Sequence, residues 1–122
     1  GSCDLTDCAA TVLATVVSSR PGSEHCVVDA GALALSVDPG PADAEPTAMG
    51  RILEDYGSGR LDGERRLVSL SQEHGIVDGR LPHGTRVRIL PNHSCLTVAC
   101  HDRFVAVRDD RVVARWKIHR DR

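Results

Sequence analysis

His93 and Cys95 stand two positions apart in "PNHSC", residues 91 to 95. An imidazole and a thiolate make a soft donor pair, better suited to zinc than to magnesium or calcium. On an extended segment, side chains i and i+2 point the same way, so the spacing predicts that the two converge. Two protein ligands leave a tetrahedral ion with open positions. That is the catalytic pattern, in which the metal polarises a bound water or substrate oxygen. Cys100 and His101 follow soon after. "HSCLTVACH" therefore also admits a closed four-ligand site, although its spacing matches no usual zinc ribbon or finger. A metal-free alternative makes Cys95 and Cys100 small buried hydrophobes and His93 a loop residue.

"SQEHG", residues 71 to 75, is a second constellation. His74 could serve as a general base or a third ligand, with Glu73 orienting it. The structural alternative is a solvated turn in which Gly75 supplies a positive φ. Asp29, in "VVDAG" (27 to 31), ends a strand-like run. Its carboxylate could orient a reacting group or bond a turn. His25, Cys26, His83 and His119 have no comparable spacing.

These groups need a scaffold, and the signal for one is β. "ATVLATVVSS" (10 to 19) places Val12, Ala14 and Val16 on one face and Leu13, Thr15 and Val17 on the other. Arg20 to Ser23 reads as a turn into "HCVVDAG" (25 to 31), predicting a hairpin. "ALALSVD" (32 to 38) predicts a third strand, and the Pro-rich 39 to 50 a loop. "RILEDYG" (51 to 57) is ambiguous, with one short helix expected around 48 to 56. Residues 58 to 64 read as a turn and "RRLVSLS" (65 to 71) as a strand. "TRVRILP" (85 to 91) alternates, with Val87 and Ile89 opposed to Arg86 and Arg88. "RFVAVR" (103 to 108) and "RVVARWKIH" (111 to 119) flank Asp109-Asp110, a hairpin turn. The expected fold class is all-β, a small antiparallel barrel or sandwich.

The 122 residues suit one domain with a modest core. Gly1-Ser2 reads as a cloning scar and residues 3 to 122 as the domain. Tyr56, Phe104 and Trp116 are the only aromatics, so the core must be Val, Leu, Ile and Ala. A net charge of −2 gives no reason to expect nucleic acid or acidic membranes as partners. No run is long enough to span a bilayer. Five cysteines without a disulfide framework predict reduced thiols and a cytoplasmic location.

The order of "CAATVLATVVSSRP", "VVDAGALALSVDPG", "LSQEHGIV", "GTRVRILPNHSCLTV" and a final "VVARW" resembles one family, from Cys8 to about His119. It is the D-serine dehydratase-like domain. This is the C-terminal domain of metal-activated D-serine dehydratases and D-threonine aldolases, which are fold-type III pyridoxal-phosphate enzymes. The resemblance implies that His93 and Cys95 bind zinc, or less readily manganese. The metal would hold a substrate hydroxyl or carboxylate oxygen. It also implies an α/β barrel carrying the cofactor lysine, covered by this domain, usually across a head-to-tail dimer. The chain departs from the family at Ala32-Leu33, where a small polar residue and often a lysine follow Asp-Ala-Gly. It departs again at Gln72-Glu73, where the family has an acidic pair. Its one lysine, Lys117, lies in the last strand, so covalent binding of pyridoxal phosphate to this chain is not expected.

The leading expectation is a stand-alone zinc lyase, isomerase or cyclase acting without pyridoxal phosphate on a small oxygen-bearing amino or hydroxy acid. His93 and Cys95 would be its ligands, with His74, Glu73 and Asp29 supporting the chemistry. One alternative is the C-terminal half of a pyridoxal-phosphate lyase that needs a barrel partner or a homodimer. Another is a non-catalytic metal- or ligand-binding module.

Overall fold

The structure is a computed structural model that describes residues 7–40, 48–55, 57 and 60–120. Six strands close into a barrel in the order β1-β2-β5-β4-β3-β6: β1 Val12–Ser18, β2 His25–Val28, β3 Gly50–Leu53, β4 Leu61–Leu70, β5 Gly75–Asp78 and β6 Arg86–Pro91. Two short helices accompany them, α1 Ala32–Leu35 and α2 Ser94–Ala99. The strands β7 Arg103–Arg108 and β8 Arg111–Lys117 form a separate hairpin. The all-β class expected from the alternation is therefore the fold, and of the barrel or sandwich it allowed the structure is a closed barrel. Among the described residues no helix is long and apolar enough to cross a membrane.

The inward faces are those the alternation marks. Val12, Ala14 and Val16 of β1 and Val87 and Ile89 of β6 meet Cys26, Val28, Ile52, Leu67 and Val77 in one apolar core. Leu67 and Ile89 are wholly buried. The four described cysteines are free, and buried Cys26 behaves as a small hydrophobe whose Sγ–H donates to the Gly79 carbonyl. The first hairpin is as expected, with the Ser23 N–H donating to Arg20 O at 3.1 Å and Gly22 at φ +83.

Four expectations need correction. "ALALSVD" is not a strand, because residues 32–35 form α1. Ala and Leu favour a helix, and the orphan N–H groups of Ala32 and Leu33 find the carbonyls of Ser71 and Gln72 at 2.9 and 3.1 Å. The helix expected over 48 to 56 is instead strand β3, whose Gly50 pairs with Leu67 on one side and Pro91 on the other. Tyr56, its last residue, lies outside the described residues. Residues 61 to 64 are not turn but the start of β4, since Leu61 pairs with Leu53. Gly75 opens a strand with no positive φ. It is glycine for space, because a Cβ there would lie 2.6 Å from a Leu67 methyl and 2.7 Å from Ala30 O. Gly1-Ser2 and residues 41 to 47, within the segment expected to be a loop, also lie outside the described residues.

Within β4, Asp62 is held locally. Its Oδ1 accepts from the N–H groups of Glu64 and Arg65, and its Oδ2 from Arg65 Nη1 at 2.7 Å. Burial by itself would raise the carboxyl's pKa, but the Arg65 guanidinium and the two backbone donors outweigh it and hold it below the usual value. A depressed folded pKa stabilises the fold above the unfolded pKa of about 4, and that stabilisation is lost as pH falls through the lower folded value. Wild type should therefore exceed Asp62→Asn in urea stability by about 1 kcal/mol at pH 6. The two should converge near pH 2. A constant difference across that range would remove the charge-based account.

The barrel topology decides where the motifs go. Every neighbouring pair is antiparallel and joins an odd-numbered to an even-numbered strand. The ends of β2, β4 and β6 therefore share one rim with the starts of β1, β3 and β5. "DAG" follows β2, "SQEHG" follows β4, and "NHSC" follows β6. Three motifs far apart in sequence thus meet at a single rim.

Candidate functional site

The rim is built from contacts between these three segments. Gly31 packs so tightly on the 71–74 turn that a Cβ would lie 2.5 Å from both His74 N and Ser71 O. The turn is closed by the Ser71 N–H donating to His74 O at 2.8 Å. The helix α2 packs on α1, where the buried Thr97 donates its Oγ1–H to Leu35 O at 2.9 Å. The ring of His101 donates from Nε2 to Ala34 O at 2.9 Å. DAG, SQEHG and NHSC therefore form one connected layer over the barrel end.

His93 is the extended residue that caps α2, at φ −141 and ψ 101, and Cys95 lies in the helix's first turn. The extended-segment argument for their convergence does not apply, because the chain bends between them. The imidazole is half-buried and the Cys95 side chain is exposed at the rim. His93 Nδ1 lies 2.5 Å from Asp38 Oδ2. A carboxylate offers only lone pairs, so Nδ1–H is the donor. Asn92 donates from Nδ2 to the carbonyls of Asp38 at 3.0 Å and Ala48 at 2.8 Å. Asp38 and Asn92 are the site residues that sequence reasoning missed. Asp38 is 55 positions from His93, and although it lies within "VVDAGALALSVDPG", nothing in its spacing ties it to His93. The one available signal was the Asn beside the His.

Among the described residues, no three His, Cys, Asp or Glu side chains gather as a metal-holding group. This overturns the closed four-ligand alternative, and His101 is engaged with Ala34 O instead. A metal at His93 and Cys95 would keep two or more positions for water or substrate, and His74 is not placed as a third ligand. Imidazole and thiolate are donor types that zinc accepts. Glu73 and His74 are both exposed on the turn, and neither side chain has a hydrogen-bond partner among the described residues. Asp29 lies elsewhere on the rim, where its Oδ1 accepts the Thr15 N–H of β1 at 2.8 Å. Lys117 is exposed in β8 opposite Arg103, a cationic surface neighbour.

The β7–β8 hairpin is the other notable surface. Asp109 and Asp110 take φ of 50 and 62, as a two-residue primed turn requires. Phe104 pairs with Trp116 and Val105 with Arg115, so apolar groups stand on both faces. Trp116 is 60% exposed and Val105, Val107, Val112 and Val113 are each at least half exposed. Two strands with both faces in water are marginal by themselves.

Comparison with known proteins places this architecture. The family described as "Putative serine dehydratase domain" matches residues 9–107. The chain belongs to this family. It is 39% identical over 126 residues to "Uncharacterized protein Rv1414" of Mycobacterium tuberculosis, covering 97% of this chain and 87% of that protein. It is 37% identical to D-threo-3-hydroxyaspartate dehydratase of Delftia sp., covering 96% of this chain but 33% of the dehydratase. D-serine dehydratase of Dictyostelium discoideum is 34% identical, with 93% of this chain and 30% of that enzyme covered. The solved structure of the Delftia dehydratase superposes with a TM-score of 0.81 at 34% identity, over 96% of this chain and 34% of that one. Other structures of that dehydratase are a His-to-Ala mutant and a Cys-to-Ala mutant, at positions two apart, the latter in a metal-free form. The domain is thus related to the C-terminal parts of larger dehydratases and aldolases.

Proposed function

We propose that this chain is the zinc-bearing module of a lyase that acts on a small β-hydroxy D-amino acid. His93 and Cys95 hold the ion. A pyridoxal-phosphate barrel, supplied by another chain or another part of the same protein, completes the site. The observation that carries this reading is the His93 imidazole. Its Nδ1 is tied to Asp38, and no described residue takes Nε2, so that nitrogen is left to face a metal two residues before an exposed thiol. The relative's His and Cys mutants, at the same spacing, support it.

When bound, zinc supplies a Lewis acid for the substrate's hydroxyl or carboxylate oxygen. The chain's own contribution is to present the two donors on a rigid rim and to keep the other positions open. Glu73 and His74, exposed on the neighbouring turn, are the groups within the motif layer able to exchange a proton with a bound substrate. The exposed hairpin supports a docking partner, which would cover Trp116 and its neighbours. The stand-alone reading keeps one observation in its favour, namely that the chain spans 87% of the mycobacterial relative.

The test combines elemental analysis with reconstitution. The purified protein should carry about one zinc per chain and be inert on D-serine and D-threo-3-hydroxyaspartate. Adding the pyridoxal-phosphate barrel part of a relative dehydratase should restore ammonia release. The single tryptophan should shift its emission to the blue as the hairpin is covered. Turnover by the chain alone would favour the stand-alone lyase, and absence of zinc would refute the metal reading.

A further inference from the structure

We infer that Asp38 is the positioning residue of the rim, fixing the His93 imidazole so that Nε2 is its one metal-facing nitrogen, and that Asn92 holds Asp38 in place. The inference rests on the zinc reading above but is carried by different atoms. His93 follows Asn92 directly, so one short segment both presents the ligand and anchors the loop that orients it. The Asn92 amide spans two strangers in sequence, the carbonyls of Asp38 and Ala48, and so ties the two ends of the 39–48 segment to the end of β6. Gly40 lies against the same amide, with a Cβ there 3.6 Å from both Oδ1 and Nδ2.

The route that delivers Asp38 is itself constrained. Ser36 leaves α1 at φ 67 and ψ 172, a region that side-chain-bearing residues rarely occupy. Such a conformation is strained and persists where surrounding contacts over-determine it. Here those contacts are the Thr97 hydroxyl on Leu35 O before it and the Asn92 amide on Asp38 O after it. The chain is bent sharply between two clamped carbonyls, and the carboxylate that emerges meets Nδ1.

The chemical consequence is a choice of tautomer. A neutral imidazole carries one proton, and the nitrogen without it is the one that can bind metal. With Nδ1–H donated to Asp38, the lone pair is on Nε2. The carboxylate also makes that nitrogen a better donor, and loss of such an outer partner typically weakens metal binding 10–100-fold. Asp38 touches neither substrate nor metal in this scheme and acts through His93 alone.

The experiment uses the full chain and zinc alone. Chelator competition should show Asp38→Ala binding zinc roughly 10–100-fold more weakly than wild type. Asp38→Asn, whose amide oxygen still accepts from Nδ1–H, should recover part of that loss. Imidazole 15N spectra of the zinc-free protein at pH 8 provide the second readout. Wild type should show His93 protonated at Nδ1, Asp38→Ala and Asn92→Ala a tautomer mixture, and Asp38→Asn the wild-type pattern. Melting curves should leave all variants folded. Unchanged zinc affinity in Asp38→Ala, or Nε2–H as the wild-type tautomer, would overturn the inference. If wild type binds no zinc, the metal reading fails separately, and the tautomer spectra still decide whether Asp38 orients His93.

Discussion

His93→Ala should lose zinc almost completely, with affinity falling by more than the roughly 100-fold that removal of an outer partner costs. The reason is the donor count. No third His, Cys, Asp or Glu is grouped at the rim among the described residues to take over, so deleting one of two ligands leaves a single thiolate against water. The fold should hardly notice. The ring is 42% exposed, and its one hydrogen bond is to a half-buried carboxylate, so unfolding free energy should change by about 1 kcal/mol or less. His74→Ala separates the two views of the second motif. On this geometry it keeps its zinc, whereas a third ligand would cost affinity. Elemental analysis after dialysis and competition with a chelator measure both variants. Equal zinc in His93→Ala and wild type would end the site assignment.

Gly31→Ala should be the most destabilising single-methyl change in the rim, by about 3 kcal/mol. Its backbone, at φ −122 and ψ −153, is extended and open to any residue, so the cost is purely steric. The added Cβ would sit 2.5 Å from His74 N and Ser71 O and 2.7 Å from Gln72 O, all main-chain atoms that cannot rotate away. Relief requires moving α1 off the turn, which breaks the Ala32 and Leu33 N–H bonds to Ser71 and Gln72. The melting temperature should fall by roughly 10–20 °C. Gly63→Ala is the control. Nothing lies within 4 Å of its added Cβ and its φ is not positive, so it should be neutral or slightly stabilising. Similar melting curves for the two variants would refute the close-packed rim.

Part of this was legible from alternation. The inward faces of β1 and β6 follow directly from period-two patterning, because a half-buried strand must alternate. The Asp109-Asp110 turn followed from local backbone chemistry. The same reasoning misread α1. "ALALSVD" alternates as well as a strand does, but the N–H groups of Ala32 and Leu33 are satisfied some forty positions away, by the carbonyls of Ser71 and Gln72. Gly75 was misread for a related reason. A glycine's need for space is set by what packs on it, here Leu67 and Ala30, and neither is a sequence neighbour.

By itself, the sequence determined that the chain is a small antiparallel all-β domain and that His93 and Cys95 are its most chemically distinctive pair. Residue type and short-range period carry that information. Only the tertiary structure decided that DAG, SQEHG and NHSC share one rim, that His93 caps a helix, and that Asp38 reaches its Nδ1. Those facts depend on which strands pair and in which direction. Antiparallel closure brings the ends of β2, β4 and β6 together, and no local pattern encodes that meeting.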